Sequence, residues 1–417
     1  MKKTLSLLII TLLVNFTFAQ DVINFTKTSY EQLLKKSKVD QKAIMLFFSV
    51  DSKECTSFEK SFFSQSKLAG FYNHNFYNVK PVMSSASTKN LAKKFNVNSY
   101  PSIVFVNSKQ VVIHKIVGIN HQIDGLKLGE NVKSGKNTLL SYSTAFKKSK
   151  NPDEKDPTFL LDYANILYEA NEDYSMPIKL YFESLQEERM NEPMNLLAIM
   201  RYSNDIYAPE FKYFVNHISD LEIPTYQLID KYLKLEDVIS GHIMNAIKTG
   251  KSVILSDTLS RVFEYLQIDG EENIIITARL NMEYYRDVEK IKNEEYFKYM
   301  NEYLAFRISF LSPLEVGDYC SEIYRFNNDE ELNRQALMWI EEACNRERSL
   351  DLSYIKLQLM IKDGRQNEVN DQLPMIKEEF REEMDPAWEV KLDKLALIIK
   401  PAPAPTQDGD EPVKAPK

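Results

Sequence analysis

Residues 43–63, AIMLFFSVDSKECTSFEKSFF, decide the fold of the N-terminal part of the chain. The first six, Ala43 to Phe48, form an apolar run that is too short for a buried helix and is typical of a buried strand. From Thr56 to Phe63 the residues have the character of a helix, and Ser52 is a good N-cap before it. This stretch therefore predicts a strand, a short loop and a helix.

Similar elements extend on both sides of this stretch. Short runs rich in Val, Ile and Phe predict three more strands, at Phe76 to Val82, Ser102 to Val106 and Val111 to Val117. Further helices are expected at Ser29 to Lys36 and at Thr88 to Phe95. This order of elements predicts a small α/β domain with a central mixed sheet.

The remainder of the chain has a different pattern. From about Asn137 to Lys400 the apolar residues recur almost entirely at helical spacing. The chain is therefore expected to divide near residues 128 to 150, with an α/β domain over residues 20–130 and an all-α domain over residues 137–400.

The α/β domain resembles the thioredoxin family. Residues 49–60, SVDSKECTSFEK, look like that family's active-site loop and following helix. Residues 91–106, LAKKFNVNSYPSIVFV, look like the segment leading into its cis-proline loop, and Pro101 matches the cis-proline. The run from Val111 to Gly118 matches the final strand and its glycine. The resemblance covers about 100 residues, about a quarter of the chain, and implies a groove beside Tyr100 and Pro101 that can bind an extended peptide.

The sequence departs from this family at the redox motif. The family has Cys-x-x-Cys, whereas this chain has Ser52 at the first position and keeps only Cys55 at the second. A serine hydroxyl cannot form a disulfide, so a two-electron dithiol cycle within this loop is impossible. Asp51 stands where the family usually has an aromatic residue, and a carboxylate there would raise the pKa of a nearby thiol.

Three interpretations of Cys55 remain open. Asp51 and Glu54 form a pair similar to a capping box, so the loop can serve only to start a helix, with Cys55 as a small packed side chain. Alternatively, Cys55 is a single catalytic thiol that forms a mixed disulfide with a partner, with Ser52 as a hydrogen-bond donor. Cys55 could also pair with Cys320 or Cys344, the other two cysteines of the chain.

The C-terminal region resembles helical repeats of the tetratricopeptide type. Gly364, Val369, Leu373 and Ile376 fall at the spacing of that repeat's turn glycine and second-helix core positions. No regular period of about 34 residues is found elsewhere, so a degenerate array is expected. Stacked helical pairs leave an extended surface that usually binds protein or peptide.

Cys320 and Cys344 are 24 residues apart on helices expected to be neighbours. A disulfide between them and two buried free thiols are both consistent with this spacing. The histidines are scattered, without ligand spacings. His114 and His121 are expected to be surface imidazoles or to approach each other around the last hairpin. No metal site or cofactor is predicted.

The ends of the chain indicate its compartment. Residues 1–19 place Lys2 and Lys3 before an apolar run and end in Ala19, which is typical of a cleavable signal peptide. A membrane anchor, the alternative, needs roughly 18 or more apolar residues. Residues 401–417, PAPAPTQDGDEPVKAPK, are expected to form a disordered Pro-rich tail. The mature protein is thus expected to be periplasmic or secreted, without membrane insertion.

Composition limits the class of partner. The 417 residues include 52 basic and 60 acidic side chains, a formal net charge of −8, which disfavours a nucleic-acid-binding protein. The predicted function is therefore non-catalytic binding of a protein or peptide through the cis-proline groove and the helical repeats. Redox chemistry at Cys55 is the alternative, and a structural envelope component is a third possibility.

Overall fold

The computed structural model describes residues 22–63, 65–119, 123–149, 156–250 and 255–399. The predicted signal peptide, residues 1–19, and the predicted tail, residues 401–417, lie outside the described residues. The chain separates into two compact units, with the boundary between Met190 and Asn191.

A four-stranded sheet forms the centre of the first unit, with the strands in the order β2-β1-β3-β4. The central strand β1 (Ala43–Phe48) is parallel to β2 (Phe76–Val79) and antiparallel to β3 (Ser102–Val106), and β3 is antiparallel to β4 (Val112–Ile116). Strands β1 and β3 have the predicted bounds. Strand β2 is shorter than predicted, and Pro81, which has no N–H to donate to a ladder, follows shortly after its end.

Five helices of the first unit accompany the sheet: α1 (Tyr30–Asp40), α2 (Lys53–Phe63), α3 (Ser66–Asn75), α4 (Ala86–Lys94) and α5 (Gly125–Ser134). Side chains of β1 alternate between the two faces of the sheet. Met45 and Phe47 pack with Phe62 and Tyr72 from α2 and α3. Leu46, on the other face, belongs to the core that includes α1 and α4.

Three more helices belong to the first unit: α6 (Leu139–Lys148), α7 (Pro157–Glu169) and α8 (Ser175–Glu183). Helix α6 packs against the edge strand β4 and against α7, which packs in turn against α8. The first unit is therefore an α/β layer structure with a helical extension along one edge of its sheet.

The second unit is helical throughout the part that the structure describes. Its α-helices are α9 (Pro193–Tyr202), α10 (Pro209–Asn216), α11 (Leu228–Lys248), α12 (Leu255–Leu266), α13 (Gly270–Tyr284), α14 (Glu294–Arg307), α15 (Pro313–Phe326), α16 (Glu330–Arg346), α17 (Leu350–Lys362), α18 (Gln366–Glu379) and α19 (Pro386–Ile399). A continuous apolar core runs from Ile275 to Leu395. Over the described ranges, no helix combines the length and the apolarity that crossing a bilayer requires.

Candidate functional site

Ser52 lies at the start of α2, where it caps the helix. Its hydroxyl oxygen accepts a hydrogen bond from the Cys55 N–H at 3.2 Å, and its carbonyl accepts one from the Thr56 N–H at 3.0 Å. The Glu54 carboxylate accepts hydrogen bonds from its own backbone N–H and from the Ser52 hydroxyl. These hydrogen bonds lower the pKa of Glu54. These contacts are those of a helix N-terminus, because they satisfy amides that have no partner within the helix.

Cys55 is a free thiol and only 2% of its surface is exposed. It lies in the first turn of α2, on the side of the helix that faces the protein interior. A partner's disulfide cannot reach a sulfur atom that is this deeply covered unless the loop opens. Ser52, which is partly exposed, offers a hydroxyl in its place.

The loop before β3 contains the second predicted pair of site residues. The peptide bond between Tyr100 and Pro101 is cis. Pro101 is buried, and its carbonyl accepts a hydrogen bond from the Ile119 N–H at 2.8 Å. The Tyr100 ring packs partly against the core. Within the described parts of the chain, neither the N–H nor the C=O of Tyr100 has a hydrogen-bond partner.

Three loops meet at one end of the sheet. Phe48 pairs with Ser102 across β1 and β3, so the loop after β1 and the loop before β3 lie at the same end. The segment after β4 joins them, since the Gly118 N–H donates to the Ser102 hydroxyl at 3.0 Å. Gly118 has φ +65°, and a Cβ at this position would lie 2.7 Å from the Ser99 hydroxyl. Only glycine allows this close approach.

A fourth segment, which the sequence did not predict, is the turn between α7 and α8, residues 169–172, called here the α7–α8 turn. The Glu169 carbonyl accepts a hydrogen bond from the Val117 N–H at 2.8 Å. The Asn171 carbonyl accepts one from Asn96 Nδ2 at 3.0 Å, and Asn171 Nδ2 donates to Asn98 Oδ1 at 3.2 Å. The turn therefore contacts two of the segments that flank the Tyr100 loop.

Lys115 on β4 adds a charged contact to this junction. Its side chain is only 2% exposed, and its Nζ donates to the Phe95 carbonyl at 2.9 Å. The same Nζ lies 2.5 Å from Glu172 Oε1. A buried ammonium requires such partners, because leaving one unpaired costs several kcal/mol. Lys115 thus links β4, the end of α4 and the α7–α8 turn.

The other two cysteines belong to the second unit. Cys320 on α15 is buried and donates through its sulfur to the Ala336 carbonyl at 3.4 Å. Cys344 on α16 is partly exposed, and both cysteines are free thiols. Burial raises the pKa of each, and Cys344 raises the pKa of Cys320 further. The structure thus has free thiols at both positions.

Comparison with known proteins agrees with this description of the first unit. A family model described as a thioredoxin-like domain matches residues 30–132. The solution structure of a candidate disulphide-isomerase from Bacteroides thetaiotaomicron is 29% identical over 28% of this chain and 93% of its own, with a TM-score of 0.24. A structure named DsbH oxidoreductase is 21% identical over 28% of this chain and 86% of its own, also with a TM-score of 0.24. No curated protein matches the chain.

The predicted fold class is confirmed: a thioredoxin-like α/β domain at the N-terminus is followed by a mostly helical region. The α7–α8 turn lies beyond the residues that the family model matches. It is therefore a part of this chain's first unit that the family resemblance could not have predicted.

Proposed function

We propose that this protein acts outside the cytoplasm as a non-catalytic binding protein, and that it holds an extended segment of a protein or peptide partner against the Tyr100–Pro101 loop. The observation that carries the proposal is the backbone of Tyr100, whose N–H and C=O have no hydrogen-bond partner among the described residues. It lies at the sheet end where the first cysteine of the redox motif is replaced by Ser52.

An unpaired backbone N–H and C=O on one residue can pair with the backbone of an extended peptide, as when a strand is added to a sheet edge. Each such hydrogen bond contributes about 0.5–1.5 kcal/mol, so affinity also needs side-chain contacts. The partly exposed Tyr100 ring and Val50, which is 39% exposed, provide apolar surface on the two loops that meet here. The partner segment is therefore expected to be extended and to carry apolar side chains.

The same site argues against redox chemistry. A thiol that attacks a disulfide must be accessible and at least partly ionised. Cys55 is covered, and the position from which family members attack is occupied by Ser52, whose oxygen caps α2. Monothiol chemistry at Cys55 therefore requires the start of α2 to open.

Peptide binding can be tested directly with the mature protein. Extended peptides selected from a displayed random library should shift the Tyr100 amide signal in an NMR titration and slow its hydrogen exchange. Amides of α1 should not change. Selection of no peptide, or binding that leaves the Tyr100 amide unaffected, would contradict the proposal.

Restoring the missing cysteine tests the chemistry of the loop. We expect Ser52→Cys to form a disulfide with Cys55 and to gain insulin-disulfide reductase activity, whereas the parent has none. Ser57→Cys, an exposed position on the same helix, is the control, since residues two apart on a helix do not face each other. Reductase activity of the parent, or alkylation of Cys55 by iodoacetamide without denaturation, would favour the redox alternative.

Two finer inferences accompany the proposal. The location outside the cytoplasm, periplasmic or secreted, is supported by the sequence of residues 1–19. We also infer that α17 and α18 form a degenerate tetratricopeptide-like pair that adds a second protein-binding surface. This is supported by Gly364, which has φ +79° at the turn between them, and by the buried side chains of Val369, Leu373 and Ile376.

A further inference from the structure

An open, solvent-accessible cavity of about 550 Å³ lies in the first unit, bordered by β4, α5, α6 and α7. Cavities of roughly 300–1,000 Å³ are typical of small-molecule sites. The described lining residues include none from the Ser52–Cys55 or Tyr100–Pro101 segments, so this cavity is separate from the proposed peptide site. The polar lining of this cavity includes His114, Asp124, Lys127, Tyr142, Asp162 and Glu169.

His114 contributes an unpartnered hydrogen-bond donor to this cavity. Its Nδ1 accepts a hydrogen bond from the Leu139 backbone N–H at 3.1 Å, so the proton of the neutral ring is on Nε2. The residue is only 5% exposed, contrary to the surface position expected from the sequence, and burial lowers the pKa of His114 to about 4. His121, its suggested neighbour, lies outside the described residues. The His114 Nε2–H has no acceptor among the described residues.

The cavity is acidic. Asp124 and Asp162 provide two exposed carboxylates beside Glu169, and Lys127 provides one ammonium. The Tyr142 hydroxyl donates to Asp162 Oδ2 at 3.2 Å and so orients this carboxylate. Burial, together with Asp162, raises the pKa of Tyr142 to about 12, so the hydroxyl keeps its proton. The acidic side chains therefore favour a cationic ligand. The imidazole N–H of His114 favours a ligand that also carries a hydrogen-bond acceptor.

We propose that this cavity binds a basic amino acid, either free or as a residue of a peptide. The guanidinium or ammonium group would lie against Asp162 and Asp124. A carboxylate or carbonyl oxygen of the same ligand would accept the hydrogen bond from His114 Nε2. One molecule thereby supplies a cation for the two aspartates and an acceptor for the imidazole N–H.

The test uses the mature protein and L-arginine as the probe, with L-citrulline as its uncharged analogue. Arginine should bind in calorimetry and should shift the His114 imidazole NMR signals. Citrulline should bind about threefold to fivefold more weakly, since ion pairs with exposed carboxylates contribute up to about 1 kcal/mol. Equal binding of the two ligands would overturn the proposal, as would the absence of any His114 shift at about 10 mM arginine.

Two variants locate the ligand. Asp162→Asn keeps an acceptor for Tyr142 but loses the charge, and it should weaken arginine binding about threefold. Glu130→Gln, an exposed residue of α5 that does not line the cavity, should leave binding unchanged. Nα-acetyl-arginine-N-methylamide distinguishes a site for free arginine from a site for an arginine residue of a peptide. It binds like arginine only if the site accepts peptide residues. Unchanged binding by Asp162→Asn would place the ligand elsewhere and refute the assignment.

Discussion

The two units bury charge in different ways. In the first unit, Lys115 is buried with one carboxylate, Glu172, whose own side chain is 41% exposed. In the second unit, Glu236 is fully buried and lies between two guanidinium groups, Arg307 Nε at 2.7 Å and Arg279 Nη1 at 3.4 Å. The first arrangement joins the α7–α8 turn to the edge strand β4. The second holds the helices α11, α13 and α14 together.

This difference determines what happens when one partner is removed. Without Lys115, the Glu172 carboxylate can be hydrated, because it already reaches the surface. Without the charge of Glu236, Arg307 remains buried, with Glu272 as its other carboxylate at 2.8 Å. Arg279 likewise keeps Asp237 at 2.6 Å and Glu283 at 3.0 Å, so neither guanidinium is left without a carboxylate. What is lost is an oxygen that accepts charge-assisted hydrogen bonds in the interior, where water cannot replace it. The same kind of substitution should therefore affect the two units unequally.

The largest effect is expected for Glu236→Gln. It keeps the shape of the side chain but replaces a buried carboxylate oxygen that accepts from a guanidinium with an amide NH2, so the second unit should lose about 3 kcal/mol of unfolding free energy, the upper end for a hydrogen bond to a charged group. Urea unfolding of the mature chain, followed by hydrogen exchange on α11 and α13, measures this loss.

The matched control is Glu331→Gln on α16. Glu331 also pairs with an arginine, Arg334, at 2.7 Å, but it is 80% exposed. Such a surface pair contributes about 0–1 kcal/mol. Equal effects of the two substitutions would mean that burial does not distinguish these ion pairs.

A second expected effect concerns His114, which is buried without charge on β4, one residue from Lys115. Its pKa of about 4 in the folded protein lies below the ordinary value of 6.5, so the unfolded chain binds the proton more readily. This contribution to stability is complete above about pH 6.5 and is lost as the pH falls toward 4, a change on the order of 3 kcal/mol.

His114→Gln, which keeps an acceptor for Leu139, should reduce this dependence of stability on pH. Urea midpoints of the two proteins at pH 7 and at pH 4.5 give the comparison. His74→Gln on α3, an exposed histidine, is the control. A His114→Gln protein with the parent's pH profile would show that burial of the neutral ring does not set this dependence.

Local signals made the core of the first unit predictable. The bounds of β1 and β3 follow from short apolar runs, and the position of Ser52 follows from cap chemistry. Helix α3 was not predicted, because Gly70, Asn73 and Asn75 are poor helix formers. The helix forms because Leu68, Ala69 and Tyr72 are buried against the sheet, and tertiary packing outweighs local propensity.

The contacts around the site were predictable only in part. Asn96 and Asn171 are 75 residues apart in the chain, and neither belongs to a periodic pattern. Lys115 follows His114 in a strand, where a lysine would ordinarily indicate a solvent-facing position. Single polar contacts between distant segments leave no signal in one sequence, so the α7–α8 turn and the acidic cavity emerge only from the structure.

The smallest effect is expected for Lys115→Met, which tests the first half of the comparison. Methionine fills similar space without charge, and Glu172 can be hydrated, so the loss should be only about 1–2 kcal/mol. The contact between the α7–α8 turn and the segment after β4 should nevertheless weaken. Hydrogen exchange at the Val117 amide, which donates to the Glu169 carbonyl, should therefore accelerate. Lys80→Met, which removes an exposed partner of Glu59 at 2.6 Å, should change neither quantity measurably. If Lys115→Met costs as much as Glu236→Gln, the exposure of the remaining partner does not determine the cost, and the contrast between the two units fails.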